Sequence, residues 1–198
     1  MRRALLVLLG VCATGAGALV LAAAADERRT AFAPVPRSVA VVAVTAPGQT
    51  VCQREVDVPA AFDGVETSVG TGGVPSPPVD VEVRRSGGTR VLARGRLPAG
   101  ARDNTAALAQ VRPEVRSGQV VDVCMRNAGR RELAFYGGPW FASPGRADVE
   151  GRRAEGNLQL RYVRSEPRSA LSLVPDMFRR AALFRPEPFG LRLDEAFA

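Results

Sequence analysis

The sequence contains no lysine, no histidine and no isoleucine, and all 27 of its basic residues are arginine. A chain without histidine cannot run a Ser-His-Asp triad or hold a metal through imidazole. A chain without lysine has neither Schiff-base chemistry nor a P-loop lysine. The arginine bias itself reads as that of a GC-rich genome, because the physical advantages of arginine over lysine are local ones. Aromatic residues are scarce at 6%, and there are only three cysteines, Cys12, Cys52 and Cys124. No CxxC pair occurs, which argues against a redox or zinc motif. The glycines of residues 70–78 lack G-x-G-x-x-G spacing and a following helix, so they do not predict phosphate binding.

What is present begins with an address. Arg2 and Arg3 precede an unbroken apolar run from Ala4 to Ala25. Its 22 residues would make a helix of roughly 33 Å, against a hydrocarbon core of roughly 30 Å. The leading flank is positive and the trailing flank, Asp26-Glu27-Arg28-Arg29, is neutral, so the N-terminus is expected in the cytoplasm and the remainder outside. Residues 1–25 are a signal anchor, which the length favours, or a signal peptide cut after Ala23-Ala24-Ala25. The first reading gives a single-pass membrane protein and the second a secreted one. In an oxidising compartment the two cysteines beyond this segment are expected to pair as Cys52–Cys124. Both lie in strand-like surroundings, Thr50-Val51-Cys52 and Val121-Asp122-Val123-Cys124.

Residues 26–37 read as a linker with two prolines, and strand signals start at Val39. Glu55-Val56-Asp57-Val58 and Val79-Asp80-Val81-Glu82-Val83-Arg84 alternate with a period of two. Arg90–Leu97, Val120–Met125, Glu132–Tyr136 and Leu158–Tyr162 add further strands. The segment Glu132–Tyr136 is expected to be the hairpin partner of the strand before Asn127-Ala128-Gly129. Residues 104–111 fit a strand or one helical turn. Seven to nine short strands with turns every 8–12 residues predict an all-β domain over 38–165, an antiparallel β-sandwich of jelly-roll or Ig-like type. Residues 166–198 predict a basic amphipathic helix and tail. Val174, Met177, Phe178, Ala181 and Phe184 fall on one helical face, and Arg179 and Arg180 on the other. Residues 152–185 hold eight arginines against three acids, whereas residues 26–125 are near balance.

The stretch Ser172-Leu173-Val174-Pro175-Asp176 with Arg179-Arg180 resembles the juxtamembrane segment of bacterial envelope proteins that have two membrane helices. The resemblance covers about 20 residues and names no activity. It implies an envelope location. The chain departs from that pattern, because residues 186–198 are polar and do not predict a second span.

Candidate chemistry is thin. Asp80 and Glu82 share one strand face, with Asp57 and Asp122 on other strands. Such carboxylates can serve glycoside hydrolysis, but alternating acids on a strand ordinarily form its solvated face. Asp63-Gly64 and Asp103-Asn104 read as loop residues that make turns or, less simply, offer oxygens to calcium. Tyr136 and Trp140 belong to the densest aromatic cluster and are candidate ligand-stacking residues. Met177, Phe178, Arg179, Arg180 and Phe184 are candidate contacts to a membrane or a partner. A sequence pI of about 10.7 suggests an anionic partner, with membrane lipid or wall polymer preferred over nucleic acid, since no recognition motif is present. The expectation is a non-enzymatic, membrane-anchored binding or structural module of the cell envelope, with no catalytic residues, cofactor or metal. The alternatives are a carbohydrate-binding accessory module or a carboxylate-based glycoside hydrolase.

Overall fold

The computed structural model describes residues 2–25, 27–34, 40–138 and 145–175. A helix, α1 (Arg2–Ala25), is followed by thirteen strands among the described residues, and a further helical segment covers 170–175. These are β1 (Glu27–Phe32), β2 (Ala40–Thr45), β3 (Thr50–Val58), β4 (Phe62–Gly70), β5 (Val79–Arg85), β6 (Val91–Leu97), β7 (Ala106–Val115), β8 (Gln119–Asn127), β9 (Leu133–Gly138), β10 (Ala147–Val149), β11 (Arg152–Arg153), β12 (Asn157–Leu158) and β13 (Leu160–Ser169). Residues 29–165 form one compact unit, and α1 belongs to another.

α1 carries exposed apolar side chains on several sides, including Leu9, Val11, Leu19 and Leu21. Thr14 returns its hydroxyl to the Gly10 carbonyl at 2.9 Å, so the helix contributes little free polarity there. Among the described residues, no helix is long and apolar enough to cross a membrane.

The all-β expectation holds. The strands form a curled antiparallel sheet in the order β1-β13-β4-β7-β6-β5-β8-β3-β10-β11. β9 pairs with β2, β12 and the end of β4. Three consecutive strands β5, β6 and β7 are neighbours, and β8 returns beside β5, which is a Greek-key order. The valine alternation explains the faces. Val79, Val81 and Val83 of β5 face the core beside Val121, Val123 and Met125 of β8. Asp80, Glu82 and Arg84 take the opposite face, as period two requires.

β4 holds the assembly together and was not legible as a strand. Its residues Phe62, Val65, Thr67, Ser68 and Val69 are all buried. Residues 62–68 pair with β7, and Val69 and Gly70 pair with Phe135 and Ala134 of β9. β4 thus belongs to both parts of the curl. Asp63-Gly64, read above as a loop, is part of this strand. There Asp63 Oδ1 accepts the Ser165 N–H at 2.7 Å.

Three further expectations need correction. The segment read as a linker contains β1, because Phe32 is buried against Tyr162, with ring centroids 4.3 Å apart and nearly parallel. Residues 104–111, left open above between strand and helical turn, are strand from Ala106 onward, in β7. β9 is not the hairpin partner of β8. The Asn127 side chain donates to the Thr45 and Arg131 carbonyls at 3.1 and 2.7 Å and accepts the Gly129 N–H, and this turns the chain away toward β2. The late strand also divides at Gln159, so that β12 lies on β9 and β13 on β4. Gly137 permits the first contact: a Cβ there would collide with the Asn157 carbonyl.

Phe32, Phe62 and Tyr162 pack as a buried aromatic trio, in which Phe62 meets Tyr162 edge-on at 4.8 Å. Burial raises the pKa of the Tyr162 phenol well above its ordinary value. Its hydroxyl has no hydrogen-bond partner among the described residues. An unmade buried bond costs about 1–3 kcal/mol. Tyr162→Phe is therefore expected to raise the urea midpoint, by up to about 1–2 kcal/mol of stability once lost water contacts are allowed for. A lowered midpoint would mean the hydroxyl is satisfied.

Candidate functional site

The outward face of the sheet assembles the two paired cysteines and several of the acids singled out in the sequence. Cys52 and Cys124 are direct partners in the β3–β8 register and are disulfide-bonded, with Cα atoms 4.0 Å apart. Both are buried, although they lie on the face opposite Val51, Val121 and Val123. The bridge joins two neighbouring strands of one sheet. Asp148 of β10 stands opposite Cys52, and Glu82 of β5 stands opposite Cys124. Arg94 of β6 lies opposite Glu82. The disulfide is therefore flanked on both sides by carboxylates in one cross-strand row.

Arginines neutralise those carboxylates. A β-bulge between Gln53 and Val56 puts Glu55 at a positive φ of 52° and swings Arg54 across the face. Arg54 donates from Nε to Asp148 Oδ2 at 2.5 Å and from Nη2 to Asp148 Oδ1 at 3.2 Å. Its Nη1 donates to Asp122 Oδ2 at 3.0 Å. The other oxygen of Asp122 accepts the Glu55 N–H at 3.0 Å, so the carboxylate that binds Arg54 also fixes the bulge. The hydrogen bond from Arg54 to Asp148 is the main cause of a guanidinium pKa raised even above its usual value. Asp148 also accepts the Gly151 N–H, and Glu150 accepts the Thr50 N–H at 2.5 Å, which ties the β10–β11 hairpin to β3.

The next carboxylates follow the same rule. Glu82 accepts from Arg84 Nη2 at 2.6 Å and from Arg94 Nε at 3.1 Å. Asp80 faces Arg96 at 3.6 Å, and Glu66 faces Arg161 at 3.5 Å. The Arg84 hydrogen bond, aided by Arg94, holds the Glu82 carboxyl below the usual range against the upward pull of partial burial. That is the reverse of what a general acid needs. Asp80 and Glu82 share one face, as expected; Asp122 joins them there and each of the three meets an arginine, whereas Asp57 forms no ion pair among the described residues. Among the described residues, no group of three or more acidic, cysteine or histidine side chains could hold a metal.

Tyr136 lies on β9, half-buried beside Gly70. Its hydroxyl donates to Asp103 Oδ1 at 3.5 Å, and the same oxygen accepts the Thr71 N–H at 2.8 Å. Burial first, and then the Asp103 charge, raise the phenol pKa. Asp103 thus ties a loop to the end of β4. Trp140 lies outside the described residues, as do Met177, Phe178, Arg179, Arg180 and Phe184. The C-terminal helix is described over 170–175, where Ser169 Oγ accepts the Ser172 N–H at 3.2 Å in the manner of an N-cap. Sequence reasoning located the cysteines and acids. It missed the Arg54 clamp, whose only sequence signal is an interruption of the period-two pattern at Arg54-Glu55.

No protein-family model matches this chain, and no curated protein matches it in sequence.

The depressed Glu82 carboxyl gives a pH test. A group whose folded pKa is lowered contributes stability that is present above its unfolded value, here 4.5, and lost as pH falls through the folded value. Glu82→Gln is expected to cost about 0.2–1 kcal/mol near neutral pH, discounted for solvent screening because the pair is partly exposed. The gap from the unmodified protein should close on acidification below pH 4.5, measured by urea denaturation across pH. A gap independent of pH would assign the loss to packing.

Proposed function

We propose that the chain is an exported, membrane-anchored module of the cell envelope that acts by binding and not by catalysis. Its domain is then a jelly-roll type of β-sandwich. The observation that carries the reading is the buried Cys52–Cys124 bridge, because such bridges form and persist in oxidising compartments. The nested pairing of β3 with β8, β4 with β7 and β5 with β6 supports the jelly-roll form. The apolar run from Ala4 to Ala25, preceded by Arg2 and Arg3, supports retention as an anchor with the domain outside. A helix apolar on all sides needs either a protein core or lipid around it. The charged face supports binding over carboxylate catalysis, since Asp80, Glu82, Asp122 and Asp148 are occupied by arginines. A net charge of +7 makes anionic lipid or anionic wall polymer the natural partner class. In this reading the amphipathic segment after Ser169, with Arg179 and Arg180, is the element nearest the membrane or an envelope partner.

The test is membrane fractionation of cells making the full chain, followed by protease treatment of intact spheroplasts. The expected result is full-mass protein in the membrane fraction with its domain digested from outside. Soluble protein starting at Asp26 would make it a secreted module. Membrane protein whose domain resists external protease until lysis would reverse the orientation and sink the reading.

A further inference from the structure

The core-facing positions of the central strands change character at one end of the sheet. Along β5 the inward series Val79, Val81, Val83 ends in Arg85, and along β7 the series Ala109, Val111 ends in Val115. A β-bulge between Val83 and Arg84 disturbs the register with β6 at this end. This mouth of the curl holds an open pocket of about 240 Å³, with Leu92 and the buried Val115 in its wall. Three arginines line it, each from a different segment: Arg85 at the end of β5, Arg90 just before β6 and Arg116 just after β7. The one acid in the lining is Glu114.

Several arginines of the outward face are held by carboxylates, although Arg112 and Arg126 there form no ion pair among the described residues. Arg54, Arg84, Arg94, Arg96 and Arg161 each lie within 4 Å of a carboxylate. Among the described residues, neither Arg85, Arg90 nor Arg116 forms an ion pair, with Glu114 or with any other acid. Three arginines against one glutamate leave the concavity with an excess of positive charge, which favours an anion. Arginine forks match the oxygens of phosphate in geometry as well as charge. The volume lies just below the range of about 300–1,000 Å³ typical of drug-sized ligands, which suits a small group.

We propose that this mouth is an oxyanion site that takes a phosphate group, with Arg85, Arg90 and Arg116 as its ligands. The site does not depend on where the protein resides, so it stands apart from the export reading. A free phosphate, a phosphomonoester and the phosphodiester of a lipid headgroup or wall polymer share the chemistry it recognises.

The test is calorimetric titration of the full chain, held in a non-ionic sugar detergent, with inorganic phosphate against chloride at fixed ionic strength. Saturable binding is expected. Arg90→Gln with Arg116→Gln should weaken it at least about tenfold, the equivalent of losing a charge-assisted hydrogen bond. Adding Arg85→Gln should weaken it further. A control with Arg102→Gln, Arg130→Gln and Arg131→Gln removes the same charge elsewhere and should change affinity by no more than about twofold if screening is the only effect. Urea denaturation of each variant confirms that it is folded. Competition by dimethyl phosphate would assign a phosphodiester source, and competition confined to phosphomonoesters would assign a terminal phosphate. Absence of saturable phosphate binding in the unmodified chain, or equal weakening in the control, would overturn the proposal.

Discussion

The pairing of β3 with β8, fixed by the Cys52–Cys124 bond, is the constraint on which the rest of the sheet rests. The bridge joins residues 72 apart in sequence, and the chain-entropy account gives roughly 4 kcal/mol for a loop of that size. Its larger effect is on register. With Cys52 opposite Cys124, Val51 falls opposite Met125 and Val56 opposite Val121, all of them buried. A slip of one residue would turn the valines to the solvent face and the charged residues inward. β8 then carries β5 on its other side and with it the Greek key, while β3 carries the β10–β11 hairpin.

The outward face shows how an arginine-only chain can carry many charges on a sheet. Carboxylates alternate with guanidiniums across the strands, and Arg54 crosses the bulge to bind two acids at once. These contacts tie β10 to β3 and hold the bulge that makes Arg54 available. The mouth of the curl follows the opposite rule, with three arginines and too few acids to match them.

How much could be read beforehand depended on where each strand sits. β5 and β8 alternate or run apolar because one face is packed and the other wet, and their valines showed it directly. β4 is buried on both faces but uses Gly64, Thr67, Ser68 and Gly70 to fit between its neighbours, so no apolar period marked it. β1 was hidden by its charges, since only Phe32 announces an inward face. The partner of β9 depended on the Asn127 side chain, a contact between segments far apart in sequence. The disulfide was legible once export had been inferred, because two cysteines remained and both lay in strands. The mouth was not, since Arg85, Arg90 and Arg116 look like any other scattered arginines until the Greek key brings their segments together.

An oxidised Cys52–Cys124 bridge holds the domain in register. Non-reducing peptide mapping of the native full chain, alkylated during extraction, tests it most directly. The account predicts one linked peptide pair containing Cys52 and Cys124, with alkylation confined to Cys12. Alkylation of Cys52 and Cys124 in the native protein, with no linked pair, would contradict both the bridge and the compartment inferred from it.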